Sequence, residues 1–120
     1  MWECLVVGLG GFIGASMRYL MGLIDLKNDL MPINTMVINI IGAFVIGMIA
    51  ALASKYNLPS RWILFIKTGL CGGFTTFSTF SLESMNLINE GKLAAAGLYI
   101  VLTVMLCLMF VWLGNYVVTR

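Results

Sequence analysis

The chain predicts an all-α integral membrane fold of four transmembrane helices, the third of them broken. Three observations predict it. Of the 120 residues, 61% are hydrophobic and only 10% charged, with a mean hydropathy of +1.01, whereas about a quarter of a soluble domain's residues are charged. Four runs are nearly free of charge, and each reaches the ~20 residues needed to cross ~30 Å of hydrocarbon. Only short segments carrying charges, Pro or Gly lie between them. A soluble fold this apolar would need several helices buried all round, and a chain of 120 residues is too short to cover them.

The first span runs from Cys4 to Ile24. Met1, Trp2 and Glu3 before it form no basic start, and no small-residue cleavage site precedes the apolar run, so the stretch is expected to be retained rather than removed as a signal peptide. Gly10, Gly14 and Arg18 recur every four residues, with Gly11 and Ala15 alongside. Small residues at this interval let helix backbones approach closely in lipid. Arg18 is the only charge inside the span. It must sit near an aqueous end, face a cavity, or donate to backbone carbonyls, because an unpaired guanidinium at mid-depth costs at least ~2.5 kcal/mol.

A linker with Asp25, Lys27, Asp29 and Pro32 leads to the second span, Ile33 to Ser54, where Ala43, Gly47 and Ala51 repeat the small-residue interval. Asn39 lies inside a charge-free run there. A buried amide needs partners, and its two N–H donors suit either an anion or a neighbouring helix. Lys55, Pro59 and Arg61 mark the next linker, and the third span runs from Trp62 to Asn89. Lys67 is expected to snorkel toward its near end. Asn89 to Lys92 turns the chain into the fourth span, Leu93 to Val118, on which Tyr99, Thr103 and Cys107 fall at i, i+4 and i+8. That stripe of donors is either a track for something small and negative or a packing face. Residues 1–120 are expected to form a single membrane domain.

The third span holds the feature that apolarity alone does not explain. Gly72 to Phe80 reads GGFTTFSTF, and back-to-back glycines and threonines weaken an intrahelical ladder while bringing polar atoms to hydrocarbon depth. Such a break is tolerated only against protein, water or an ion. An unwound stretch from Gly72 to Thr75 frees carbonyl oxygens from the helix ladder. Beyond it Phe74, Phe77 and Phe80 are spaced by three among Ser78, Thr79 and Ser81. A phenyl ring has a positive edge, so rings presented edge-on can hold an anion without formal charge.

Other chemistry is excluded. A net charge of +2 and no Lys/Arg-rich run give no footprint for nucleic acid. His is absent, and the three cysteines Cys4, Cys71 and Cys107 have neither zinc spacing nor a disulfide framework. No nucleotide motif and no carboxylate deep in the first, second or fourth span points to energy coupling or catalysis. The chain is therefore expected not to be an enzyme. The Lys/Arg balance between the two faces is nearly even. Either the count is too coarse, or the protein inserts both ways and works as an antiparallel dimer.

The segments GLCGGFTTFSTFSLE at Gly69 to Glu83, GGFIGASMRY at Gly10 to Tyr19 and NIIGAF from Asn39 resemble the Fluc (CrcB) family of fluoride channels, and the likeness extends over essentially the whole chain. The resemblance implies a dual-topology, antiparallel homodimer in the inner or plasma membrane of a prokaryote. It implies two fluoride pores and a structural Na+ at the dimer centre. Phe77 and Phe80 are similar to the family's ring-edge pair, Ser78 and Thr79 to its pore hydroxyls, Asn39 to its pore amide, and Tyr99, Thr103 and Cys107 to its polar track. Relatives commonly carry a hydroxyl where Cys107 stands. Main-chain carbonyls of Gly72 and Thr75 correspond to the Na+ ligands, Glu83 to an acidic residue near the pore entrance, and Arg18 to the basic residue of the first span. Two rivals from other classes are a small multidrug-resistance-type proton-coupled exporter, which needs a carboxylate deep in the first span, and a non-conducting membrane assembly subunit.

Overall fold

A computed structural model describes every residue except Lys27. Among the described residues, four helical spans are long and apolar enough to cross a membrane: Trp2–Gly22, Ile33–Tyr56, Ser60–Asn89 and Leu93–Thr119. They lie within two residues of the expected limits at every end. The first is α1 (Trp2–Gly22) and the second α2 (Ile33–Tyr56). Asn57, with φ 51° and ψ 53°, ends α2 in the left-handed conformation that helix C-caps favour, and Pro59 restarts the chain for the third span. Lys27, one of the charges of the first linker, lies outside the described residues.

The third span is composite. It starts as α3 (Ser60–Ile63), continues as a π-helical stretch (Leu64–Cys71) and a short α4 (Gly72–Phe74), breaks, and resumes as α5 (Phe77–Asn89). The break differs from the expected Gly72 to Thr75. Gly72 to Phe74 keep helical geometry, and the chain opens at Thr75 (φ −79°, ψ 158°) and Thr76 (φ −149°, ψ 112°). The β-branched threonines favour extended backbone, while Gly73 is held in the helix by close packing: a Cβ there would lie 2.6 Å from the Gly11 carbonyl. At the far end α5 closes through Gly91 (φ 79°), with Lys92 N–H bonded to the Leu87 carbonyl at 2.9 Å. The chain then enters α6 (Leu93–Thr119).

Small residues set the packing as their spacing predicts. Gly10 and Gly14 are buried where α1 meets the π-helical stretch, and a Cβ on Gly14 would collide with the Leu70 carbonyl. Ala43, Gly47 and Ala51 are buried in α2. Gly47 lies against the Val111 carbonyl of α6, and Gly114 of α6 against the Phe44 carbonyl. Backbone cannot step aside as a side chain can. Gly114→Val is therefore expected to lower stability by ~1–3 kcal/mol, read as a depressed melting temperature in detergent. Gly97→Val, at a position where an added Cβ meets nothing within 4 Å, should leave the melting temperature unchanged.

Candidate functional site

The break is held open by a side chain 37 residues away in sequence. Asn39 Oδ1 accepts the Thr76 N–H at 2.8 Å, and Asn39 Nδ2 donates to the Thr76 carbonyl at 3.1 Å. The amide orientation follows from this pairing, since a backbone N–H can only donate. Thr76 also caps α5: its Oγ1 accepts the Thr79 N–H at 3.2 Å and donates its own proton to the Thr79 hydroxyl oxygen at 3.0 Å. These bonds divert the normal i+4 donors of two carbonyls. Thr76 N–H no longer serves Gly72, and Thr79 N–H no longer serves Thr75. The two oxygens expected to face a cation thus lose these ladder donors, and main-chain carbonyl oxygen is the ligand type a hard ion takes. Arg18 stabilises the same break from α1, its Nε donating to the Gly73 carbonyl at 3.1 Å, which is one of the three roles open to it from sequence.

Two clefts flank this junction. One, of about 390 Å³, is lined by Asn39, Phe77, Phe80, Thr103 and Cys107, with Cys71, Gly72, Thr75 and Thr76 along its wall. Apolar side chains make most of its surface, and no carboxylate lines it. Thr103 Oγ1 is buried with no hydrogen-bond partner among the described residues. A buried hydroxyl without a partner costs free energy unless something fills the need. Asn39 likewise gives only one of its two amide protons to Thr76. Phe77 is 78% exposed and Phe80 7% exposed, with ring centres 5.6 Å apart.

The second cleft, about 550 Å³, lies across the break and contains Arg18, Thr35, Thr76, Thr79 and Glu83. Glu83 is fully engaged there. Its Oε1 accepts from Thr35 Oγ1 and its Oε2 from the Tyr99 hydroxyl, both at 2.8 Å. Tyr99 is completely buried, with its ring 5.3 Å from that of Phe80. The structure therefore divides the residues singled out from sequence. Asn39, Phe77, Phe80, Thr103 and Cys107 share the first cleft, while Arg18, Thr79 and Glu83 share the second. Tyr99 joins the two sets through its ring and hydroxyl, and Ser78 is exposed and lines neither.

Thr76 and Thr35 were not singled out from sequence. For Thr76 a signal existed, because Thr is a favoured residue immediately before a helix, where its hydroxyl can accept a first-turn N–H. Thr35 offered none. It is one hydroxyl near the start of an apolar helix, and its partner lies 48 residues away.

Comparison with known proteins covers nearly the whole chain. A family model described as CrcB-like protein, Camphor Resistance (CrcB), matches residues 5–115. Among similar proteins is a fluoride-specific ion channel FluC of Paramagnetospirillum magneticum, 42% identical over 119 residues, covering 95% of this chain and 93% of the relative. A protein of the same name from Methanocaldococcus jannaschii is 43% identical over 114 residues, with 94% and 91% covered. Another, from Methanococcus maripaludis, is 44% identical over 116 residues, with 96% and 94% covered.

Proposed function

This chain belongs to the CrcB family, and from that premise we propose that it is a fluoride-selective channel that lets cytoplasmic fluoride leave passively and so confers fluoride resistance. The observation that carries the reading is the first cleft. Its walls are apolar, its polar groups include the Asn39 amide and the unpartnered Thr103 hydroxyl, the phenyl rings of Phe77 and Phe80 line it, and no carboxylate repels an anion. Fluoride is small and strongly hydrated, so a pore must replace its water with donors while leaving no room for larger halides. HF crosses membranes uncharged and dissociates in neutral cytoplasm, so a passive path for the anion suffices for detoxification. Transport of this kind is not an enzymatic step.

The functional unit we propose is an antiparallel, dual-topology homodimer in the inner or plasma membrane of a prokaryote. A single copy leaves the first cleft open on the side where Phe77 stands, and the nearly even charge balance removes the usual preference for one orientation. In that dimer the released carbonyls of Gly72 and Thr75 hold Na+ together with their symmetry mates. Asn39, Phe77, Phe80, Thr103 and Cys107 contact or line the fluoride path, with Thr79, Ser78, Tyr99, Arg18 and Glu83 at its margins.

Purified protein in liposomes loaded with fluoride, with a fluoride electrode outside and valinomycin to release K+, is expected to give rapid fluoride efflux with no proton gradient and negligible chloride efflux. Efflux that requires a proton gradient would instead indicate coupled export. No efflux from folded protein would reduce the chain to an assembly subunit.

A further inference from the structure

The third span carries an exposed strip that a lipid-facing helix would not. Lys67, Thr68, Gly72, Phe77, Ser78 and Ser81 are all exposed, following one another from the π-helical stretch across the break into α5. The exposed face of α6, by contrast, has Val101, Val104, Met105 and Leu108. Charged and hydroxyl side chains at such depth face protein or water, not hydrocarbon. Lys67 is the sharpest case. It stands seven residues after the start of the Ser60–Asn89 span, roughly 10 Å along it. Among the described residues no acidic side chain is recorded against its ammonium.

One turn of the π-helical stretch separates Lys67 from Cys71, which lines the first cleft. The strip therefore runs along the open side of that cleft, where the proposed dimer places the second copy. In an antiparallel pair with the carbonyls of Gly72 and Thr75 astride the twofold axis, the position opposite Lys67 falls in the turn from Ser78 to Ser81. Two members of that turn are already committed. Ser81 Oγ donates to the Phe77 carbonyl at 2.9 Å, and Phe80 is buried. Ser78 is exposed, and its Oγ lies 3.3 Å from Thr76 Oγ1. A lysine ammonium has three donors and no acceptor, and a serine hydroxyl has two lone pairs to receive them.

We infer that the Lys67 ammonium of one copy meets Ser78 Oγ of the other and fixes a positive charge beside Phe77, at the mouth of the partner's cleft. Each fluoride path is then completed by a residue from the other chain. The charge raises the local anion concentration without binding tightly enough to trap the ion. This inference rests on the dimeric reading above.

Flux measurements and cross-linking test it separately. Lys67→Gln is expected to lower fluoride efflux about three- to tenfold at low ionic strength and less at high. Lys67→Arg should conduct like the parent, and Lys67→Glu should fall below Lys67→Gln. Parent-like efflux in Lys67→Gln overturns the inference, and so does a loss that Lys67→Arg shares. A chain with Cys4, Cys71 and Cys107 replaced by Ala and bearing both Lys67→Cys and Ser78→Cys is expected to be joined between copies by a short bis-methanethiosulfonate reagent, each thiol displacing methanesulfinate and the spacer standing in for the length of the lysine side chain. Dimers captured by glutaraldehyde that this reagent does not join overturn the Lys67 contact while leaving the dimer intact. Monomers under both treatments overturn the dimer itself.

Discussion

Asn39→Ala is expected to cost more, in stability and in fluoride efflux together, than truncation of any other polar side chain in the second span. The side chain satisfies two backbone groups at once, the Thr76 N–H at 2.8 Å and the Thr76 carbonyl at 3.1 Å. Both lie at the break, where the helix ladder cannot serve them, and leaving each unpaired costs about 1–3 kcal/mol. Thermal unfolding in detergent should register that sum, and efflux from the protein that still folds should drop by at least about tenfold because the cleft loses a donor. Asn39→Asp separates the two roles. A carboxylate can still accept the Thr76 N–H, but it cannot donate to the carbonyl, and its negative charge faces the fluoride path. Efflux from this variant should be abolished even where the protein survives purification. If folded Asn39→Ala conducts at the parent's rate, the amide is only an adhesive between helices.

How much of this was legible beforehand depended on the range of the interactions. The four spans were readable because apolarity and length act residue by residue. The small-residue spacing was readable because Gly10 and Gly14 lie on one face of their own helix. The break was readable in kind but misplaced by about three residues. Glycine advertises flexibility, yet Gly72 and Gly73 remain helical, and it is Thr75 and Thr76 that open. The π-helical stretch of Leu64–Cys71 leaves no mark in composition. It accompanies the close approach to α1, where the space left by the absent side chains of Gly10 and Gly14 is taken by the backbone of Phe65 and Leu70. The Asn39–Thr76 and Thr35–Glu83–Tyr99 bonds join residues on different helices, so no local pattern marks them. Tyr99 was singled out as one member of a polar stripe with Thr103 and Cys107. In the structure its hydroxyl belongs to Glu83, and only Thr103 and Cys107 line the first cleft.

Phe77→Ile and Phe80→Ile are expected to lower fluoride efflux about tenfold each, for different mixtures of reasons that the two can be made to reveal. Isoleucine keeps most of the apolar bulk and removes the positive ring edge. An aromatic's quadrupolar interactions contribute roughly 0.5–1.5 kcal/mol beyond burial, and about 1.4 kcal/mol in a barrier is tenfold in rate. Phe80 is 7% exposed and packs between Phe77 and Tyr99. Its replacement therefore also removes ring contacts, and the melting temperature should fall with the flux. Phe77 is 78% exposed, so its replacement touches little inside the chain. A fall in efflux from Phe77→Ile at unchanged thermal stability isolates the ring edge from packing. Parent-like efflux from both variants sinks the ring-edge mechanism for this chain, whatever their stability. The exposure of Phe77 is also what makes the pair informative about assembly. In the proposed dimer, a ring left bare beside an open cleft and a polar strip gains its second wall from the other copy. If Phe77→Ile weakens dimers captured by cross-linking while Phe80→Ile does not, the ring serves the interface as well as the ion.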